Sequence, residues 1–317
     1  MTPAHRAQDM TVRRILFVGW TRVGDAVIST SLIAHLLDRY PAATLTMVCG
    51  PLAFEALKTV PRVERFIVLT KKPWNRHWIE LIGSLIGTRW DLVVDLRDSA
   101  ASYLVFGRRV LRFRKAAVPR RRVEELADMA GLAAAPWPRL WLAPEHAAVA
   151  DRVVTGGGPW LTLCPGAGRP EKLWPVDRMA DLARRLTADG PLKDARVLAV
   201  GAPGEEPLSV ALAAALGPGR VVDLVGRESL LAQAACVART GLFVGNDSGF
   251  THVAAALGVP ALGVFGPTDP RQYAPFGPRA GFVGGSADGP RRAIGDVTVD
   301  EVEAAARRLL DQPSSSA

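Results

Sequence analysis

The hydrophobic positions of this chain fall into short continuous runs separated by longer segments with a helical repeat. Runs at 14–19, 44–49, 65–69, 92–96 and 110–113 predict strands. The stretches at 26–39, after Gly50-Pro51, at 78–87 and at 99–106 predict helices. Between 133 and 144 the periodicity breaks over three prolines and two tryptophans, which marks an interdomain linker. The alternation then restarts. Strands are expected at 160–164, 196–200, 221–224, 242–244 and 261–265, and helices at 176–188, 206–216, 230–238 and 251–257. A last helix, 299–310, is expected to pack back across the linker. Strand–helix alternation of this length implies parallel sheets, so the fold class is α/β, with one doubly wound domain over 13–140 and another over 145–310. Loops at the carboxyl ends of such sheets carry ligands, and two successive domains imply a cleft between them.

Composition narrows this reading without changing it. The chain has 317 residues, 49% hydrophobic and 22% charged, which suits two globular domains. No run of about 18 apolar residues occurs, so no transmembrane helix is expected. The stretch 253–265 comes nearest, broken by Gly258, Pro260 and Gly263. The first dozen residues are polar and lack a signal-peptide core, and they read as a disordered tail, as do 312–317. Cys49, Cys164 and Cys236 are far apart in apolar runs. They read as buried thiols in a reducing cytoplasm, with no metal-ligand spacing. Charge is unevenly placed. The net +8 divides into +9 over 1–150 and −1 over 151–317. Eight of the fifteen residues from Arg108 to Arg122 are basic, including Arg120 and Arg121. That run is either a solvated face or a contact for a polyanion, and sparse aromatic residues weigh against a single-stranded nucleic-acid platform.

Four stretches carry candidate chemistry. Asn246-Asp247-Ser248-Gly249 ends a buried strand and opens a small-residue helix, where unpaired N–H groups and the helix dipole favour an anion. Gly249 permits close approach, Ser248 and Thr251 offer hydroxyls, and His252 is one turn in. Asp247 repels phosphate, so it accepts from sugar hydroxyls or caps the helix. Cys164-Pro-Gly166-Ala-Gly168 follows another strand, and Lys172 comes just before a helix that Pro175 opens, the composition of a phosphate clamp without Walker spacing. Trp174 reads as packing. Glu205 and Glu206, at a further strand end, either meet ribose hydroxyls or form a solvated helix start. Gly24-Asp25 begins the first helix, where Asp25 is either a general base or a cap. The stretch 19–25 does not spell G-x-G-x-x-G, which argues against a nicotinamide enzyme.

Together these pieces resemble glycosyltransferase family 9, the heptosyltransferases of lipopolysaccharide core synthesis, over about residues 13–310. The resemblance rests on Val244-Gly-Asn-Asp-Ser-Gly249 with His252, on Phe265-Gly-Pro-Thr-Asp-Pro270, and on Pro165-Gly-Ala-Gly168 with Lys172-Leu-Trp-Pro175. Arg14-Ile-Leu-Phe-Val to Gly24-Asp25 matches less tightly, with Trp20 and Arg22 as departures, and Asp91-Leu-Val-Val-Asp-Leu96 is also similar. The resemblance implies a GT-B fold, two Rossmann-like domains facing across a cleft, and an inverting transfer without a covalent intermediate. Asp25 would be the base and Lys172 the phosphate ligand. The donor, typically ADP-L-glycero-β-D-manno-heptose, would be held by Gly166, Gly168, Lys172, Glu205 or Glu206, Asp247, Ser248, Gly249, Thr251 and His252. Arg22, Gly24, Arg97, Arg120 and Arg121 are the acceptor-side candidates, toward an anionic lipid-linked glycan at the inner-membrane surface. No cofactor, metal or nucleic acid is implied, and no Asp-x-Asp pair occurs. A cytoplasmic, peripheral location follows. The rival readings are a GT-B nucleotide-sugar 2-epimerase and a non-catalytic glycan- or nucleotide-binding protein.

Overall fold

The computed structural model describes residues 12–285 and 292–312. The expected tails lie outside these, apart from Val12 and Gln312. The chain divides into two compact units, Met1–Trp141 and Leu142–Ala317.

In the first unit the elements run β1 (Arg14–Val18), α1 (Val23–Arg39), β2 (Thr44–Cys49), α2 (Pro51–Leu57), β3 (Val63–Val68), α3 (Arg76–Leu85), β4 (Trp90–Asp95), α4 (Ala101–Leu104), β5 (Gly107–Arg112) and α5 (Arg122–Ala130). The strands form a parallel sheet in the order β3-β2-β1-β4-β5. Ile15 to Val18 are fully buried because β1 is central and covered on both faces. The Asp91 carboxylate accepts from the N–H groups of Arg13 and Arg14 at 2.8 and 3.0 Å, which ties the start of β1 to β4. Strand order reverses between β1 and β4, and ligands of such sheets bind at the carboxyl ends of that pair. Asp25 follows β1 and Arg97 follows β4.

Helix α5 was not anticipated by the periodicity. It starts inside the basic run with no capping side chain, and ends where Gly131, at φ 70°, accepts the left-handed turn. Helix α4 is shorter than the expected 99–106. The buried Asp95 carboxylate draws in the Ser99 N–H and hydroxyl at 2.7 and 2.8 Å, and Val105 is already extended.

The second unit runs α6 (Pro144–Val153), β6 (Trp160–Cys164), α7 (Val176–Leu186), β7 (Arg196–Ala199), α8 (Glu206–Leu216), β8 (Val221–Asp223), α9 (Leu230–Val237), β9 (Leu242–Asn246), α10 (Gly249–Ala256), β10 (Ala261–Phe265), α11 (Pro270–Tyr273), β11 (Ala280–Gly284) and α12 (Val299–Leu310). Its parallel sheet has the order β11-β10-β9-β6-β7-β8, the doubly wound arrangement with its reversal between β6 and β9. The apolar face of helix α12, Val302, Ala305, Ala306 and Leu309, is buried in this unit's own core beside α7 and β10. A capping box fixes its start: Thr298 Oγ1 accepts from Glu301 N, and Glu301 accepts from Thr298 N at 2.8 Å. Trp174 is packing, as expected. It is fully buried, and its Nε1 donates to Val297 O at 2.9 Å.

Candidate functional site

The reversal between β6 and β9 brings two glycine-containing turns together at one sheet edge. One is 164–168, after β6, and the other is 246–249, after β9. Their link is Asn246, which is completely buried. Its Nδ2 donates to Pro165 O at 2.8 Å and to Gly166 O at 3.3 Å, and its Oδ1 accepts from Trp174 N at 3.0 Å. One amide therefore holds the first turn and the segment that carries Lys172. Sequence reasoning treated Asn246 only as part of a motif. The available signal was a polar residue closing a wholly apolar strand.

Lys172 ends a short 3-10 turn, and its Nζ lies 2.5 Å from Asp247 Oδ2. Asp247 is buried, while Lys172 keeps about a fifth of its side chain exposed. Asp247 does not cap α10: the N-cap is Ser248, whose hydroxyl makes no capping bond and lies 3.7 Å from Cys164 Sγ. The start of α10 thus presents its first N–H groups beside an ammonium and a half-buried hydroxyl, a setting for a diphosphate. Gly249 is the first residue of that helix. Gly168 is exposed, with open space where a side chain would stand.

Two donor-side expectations change. The Thr251 hydroxyl is not offered to a ligand. It is buried and donates to Asn246 O at 2.6 Å, bracing the turn from below. His252 is also buried. The two glutamates are distinguished. A Cβ placed on Gly166 would come within 2.0 Å of Glu205 Oε2, so the Glu205 carboxylate lies directly against the β6 turn. Glu206 instead accepts from Gly204 N at 2.7 Å and lies against Gly226. Only Glu205 joins the Gly166–Lys172–Asp247 group.

Burial pushes the Glu205 carboxyl above the usual carboxylate range. The Ala202 N–H, donating at 2.8 Å, opposes the rise, and nearby Glu206 adds to it. A raised native value means the stabilisation from its bound proton is complete below the ordinary 4.5 and is lost as pH rises through the native value. Glu205→Gln is therefore expected to melt higher than the parent at neutral pH, with the gap closing below pH 4.5. Thermal melts across that range check it, and a lower melting point at neutral pH would make the carboxylate a structural acceptor instead. Burial also raises the thiols, Cys49 and Cys236 to about 11 and Cys164 to about 12, so all three are inert buried groups.

In the first unit Arg22 is the backbone N-cap of α1, Gly24 its second residue and Asp25 its third. Asp25 is not the capping residue, since the N-cap is Arg22 and Asp25 stands at the third helical position. Among the described residues no group donates to its half-buried carboxylate. Arg97 is positioned from both sides. Its N–H donates to Asp95 Oδ1 at 2.8 Å, and its guanidinium stacks 4.7 Å from the Trp78 ring. Burial lowers its pKa, and Asp95 opposes that. The basic run divides. Arg120 pairs with Asp128 at 2.5 Å on the surface, both side chains about half exposed. Arg121 supplies the backbone N-cap of α5. Arg112 donates to Ser102 O at 2.6 Å, and the buried Arg122 pairs with Glu125 at 2.7 Å while facing Trp20 and Phe113. Arg109, Arg114 and Lys115 remain exposed.

Comparisons with known proteins agree with this arrangement. Residues 96–297 match the model of glycosyltransferase family 9 (heptosyltransferase). The chain is 25% identical to lipopolysaccharide heptosyltransferase 2 of Salmonella typhimurium, over 94% of this chain and 99% of that protein. Its fold is similar to the solved structure of E. coli ADP-heptose lps heptosyltransferase II, with TM-score 0.77 and 23% identity over 94% of this chain and 98% of that one. It is also similar to E. coli heptosyltransferase WaaC with ADP, with TM-score 0.72 and 21% identity over 93% and 99% of the two chains. Two parallel Rossmann-like sheets, turns converging at the β6/β9 reversal and a family match over most of the length lead to one assignment: the chain is a GT-B glycosyltransferase and belongs to glycosyltransferase family 9.

Proposed function

We propose that this enzyme transfers a heptose from an ADP-activated donor to an anionic, lipid-linked core glycan, with inversion at the anomeric carbon. The observation that carries the donor side is the Lys172 ammonium beside the start of α10, held there through Asn246. Lys172 and the N–H groups at Ser248–Gly249 would neutralise the diphosphate as it leaves. Glu205, against Gly166, is the better placed of the two glutamates to accept from ribose hydroxyls. Asp247 would receive sugar hydroxyls while its partner Lys172 turns to phosphate. Asp25 would take the proton of the acceptor hydroxyl that attacks the anomeric carbon. Arg22, Arg97, Arg120 and Arg121 are the acceptor-side cations of this reading, and the similar solved structure of E. coli heptosyltransferase WaaC with ADP supports the choice of adenine.

Calorimetry with ADP, UDP and GDP, followed by a product assay with ADP-heptose, tests the reading. Binding of ADP at least tenfold tighter than UDP or GDP, about 1.4 kcal/mol, is the expected outcome. A clear preference for UDP would overturn the donor assignment. Turnover of a nucleotide sugar with no acceptor would replace transfer by epimerisation.

A further inference from the structure

The outer face of the α3–α4 layer has no role in the reading above, yet it is built at a cost. Helices α3 and α4 pack on one face of the first sheet through Leu81, Leu85, Ala101 and Val105. Their outer side, with the flanking turns, exposes Trp74, Ile79, Ile86, Tyr103, Leu104 and Phe106. These are six of the twelve large hydrophobic side chains exposed among the described residues, gathered on one layer. Scattered exposed apolar residues need no explanation, but a gathered set does.

Trp74 is the extreme member. It is 93% exposed, and its backbone is left-handed at φ 56°, ψ 24°, a region bulky side chains rarely adopt. The turn that holds it is fixed, since the Lys72 N–H donates to Nδ1 of the buried His77 at 3.3 Å. A strained backbone that buries nothing of its own side chain points to a use outside the unit.

Charge selects the occupant. Lys71, Arg76, Arg89 and Arg109 are exposed around this face. Its acids are engaged: Glu80 pairs with Lys72 at 2.6 Å, and Asp98 accepts from Tyr103 OH at 2.9 Å. Arg89 and Arg112 lie over the rings of Phe106 and Tyr103. Indole, phenol and aliphatic side chains rimmed by exposed cations match the headgroup region of an anionic bilayer, where aromatic rings sit at the interface and basic side chains meet lipid phosphate.

We propose that the outer face of α3 and α4, with Trp74 at its tip, docks the enzyme on an anionic lipid surface. The inference deepens the acceptor reading by naming the surface on which a lipid-linked glycan would be met, and it rests on that reading for its biological sense.

Co-sedimentation of the full chain with vesicles tests it, using phosphatidylcholine alone and phosphatidylcholine with roughly one-third phosphatidylglycerol. The parent is expected to partition to the anionic vesicles and to be released as salt rises. The variant Trp74→Ser with Ile79→Ser should lose about tenfold or more of that partition. Lys71→Glu with Arg76→Glu should lose a comparable amount. Melting temperature and ADP binding should stay unchanged in both, because all four side chains are exposed. Vesicle binding identical in parent and variants overturns the proposal. A parent that ignores vesicles but forms a dimer broken by the Trp74/Ile79 pair also overturns it, and makes the face a contact with a second copy. If ADP fails to bind while vesicle binding depends on Trp74, the donor reading falls and this one stands.

Discussion

Asp25→Asn is expected to lower the transfer rate by about 10²–10⁴-fold while leaving ADP affinity unchanged. The case rests on what Asp25 does not do. It is the third residue of α1, it is not the N-cap, and no described group donates to its carboxylate. Asparagine has nearly the same shape and keeps the helix start. The structural loss is therefore limited to the dipole interaction of a first-turn carboxylate, about 0.3–1 kcal/mol. A rate loss of the expected size exceeds that loss, so melting temperature and turnover should separate. ADP release measured with donor and acceptor together, beside a thermal melt, checks this. Near-normal turnover would remove Asp25 as the base.

The second large effect belongs to Lys172. Lys172→Ala is expected to weaken ADP binding and to reduce kcat/KM by about 10²–10³-fold. Two losses combine. The ammonium no longer meets the diphosphate, and Asp247, buried and 2.5 Å from it, is left as an unpaired carboxylate facing the same ligand. Asp247→Asn separates these effects. It keeps the ammonium and removes the opposing charge, so ADP binding should hold or tighten while use of the sugar nucleotide falls. The double variant should recover part of the ADP affinity lost by Lys172→Ala, because coupled sites are not additive. Equal losses in all three variants would make the pair a strut rather than a ligand clamp.

Most of the strands and most of the sheet logic are legible in the sequence. Two of the second unit's strands, Trp160–Cys164 and Ala261–Phe265, fall where the apolar runs put them, because central strands buried on both faces are continuous in hydrophobic residues. Edge strand β11 was missed for the same reason. It is only partly buried, and two of its five residues are glycine. Helices α5 and α6 flank the linker-like stretch, one opening after Arg121 and the other after Ala143, and neither has a Ser, Thr, Asp or Asn at its N-cap; the signals present were first-turn glutamates in both, Gly131 at the end of α5 and Pro144 at the start of α6. At the site, residue types were legible but bonding was not. Thr251 is the right type for a ligand, yet its hydroxyl is committed to a partner that only the fold supplies. Asn246 is the reverse case, a residue whose partners are Pro165 and Gly166, far away in the chain.

That last distance has a consequence for the order in which the enzyme comes into being. Strand β6 leaves the ribosome early in the second unit, and β7 and β8 extend the sheet on one side of it. Its other neighbour, β9, is synthesised only after all of these. Until residue 246 has emerged, the glycine turn at 164–168 has no amide to hold its carbonyls. The proposed nucleotide site is thus a long-range object, closed late by a contact of high sequence separation, the kind that is slow to form because loop closure precedes its reward. A nascent chain would have half a sheet for much of its synthesis, and would acquire affinity for its donor only as the final strands fold against the first.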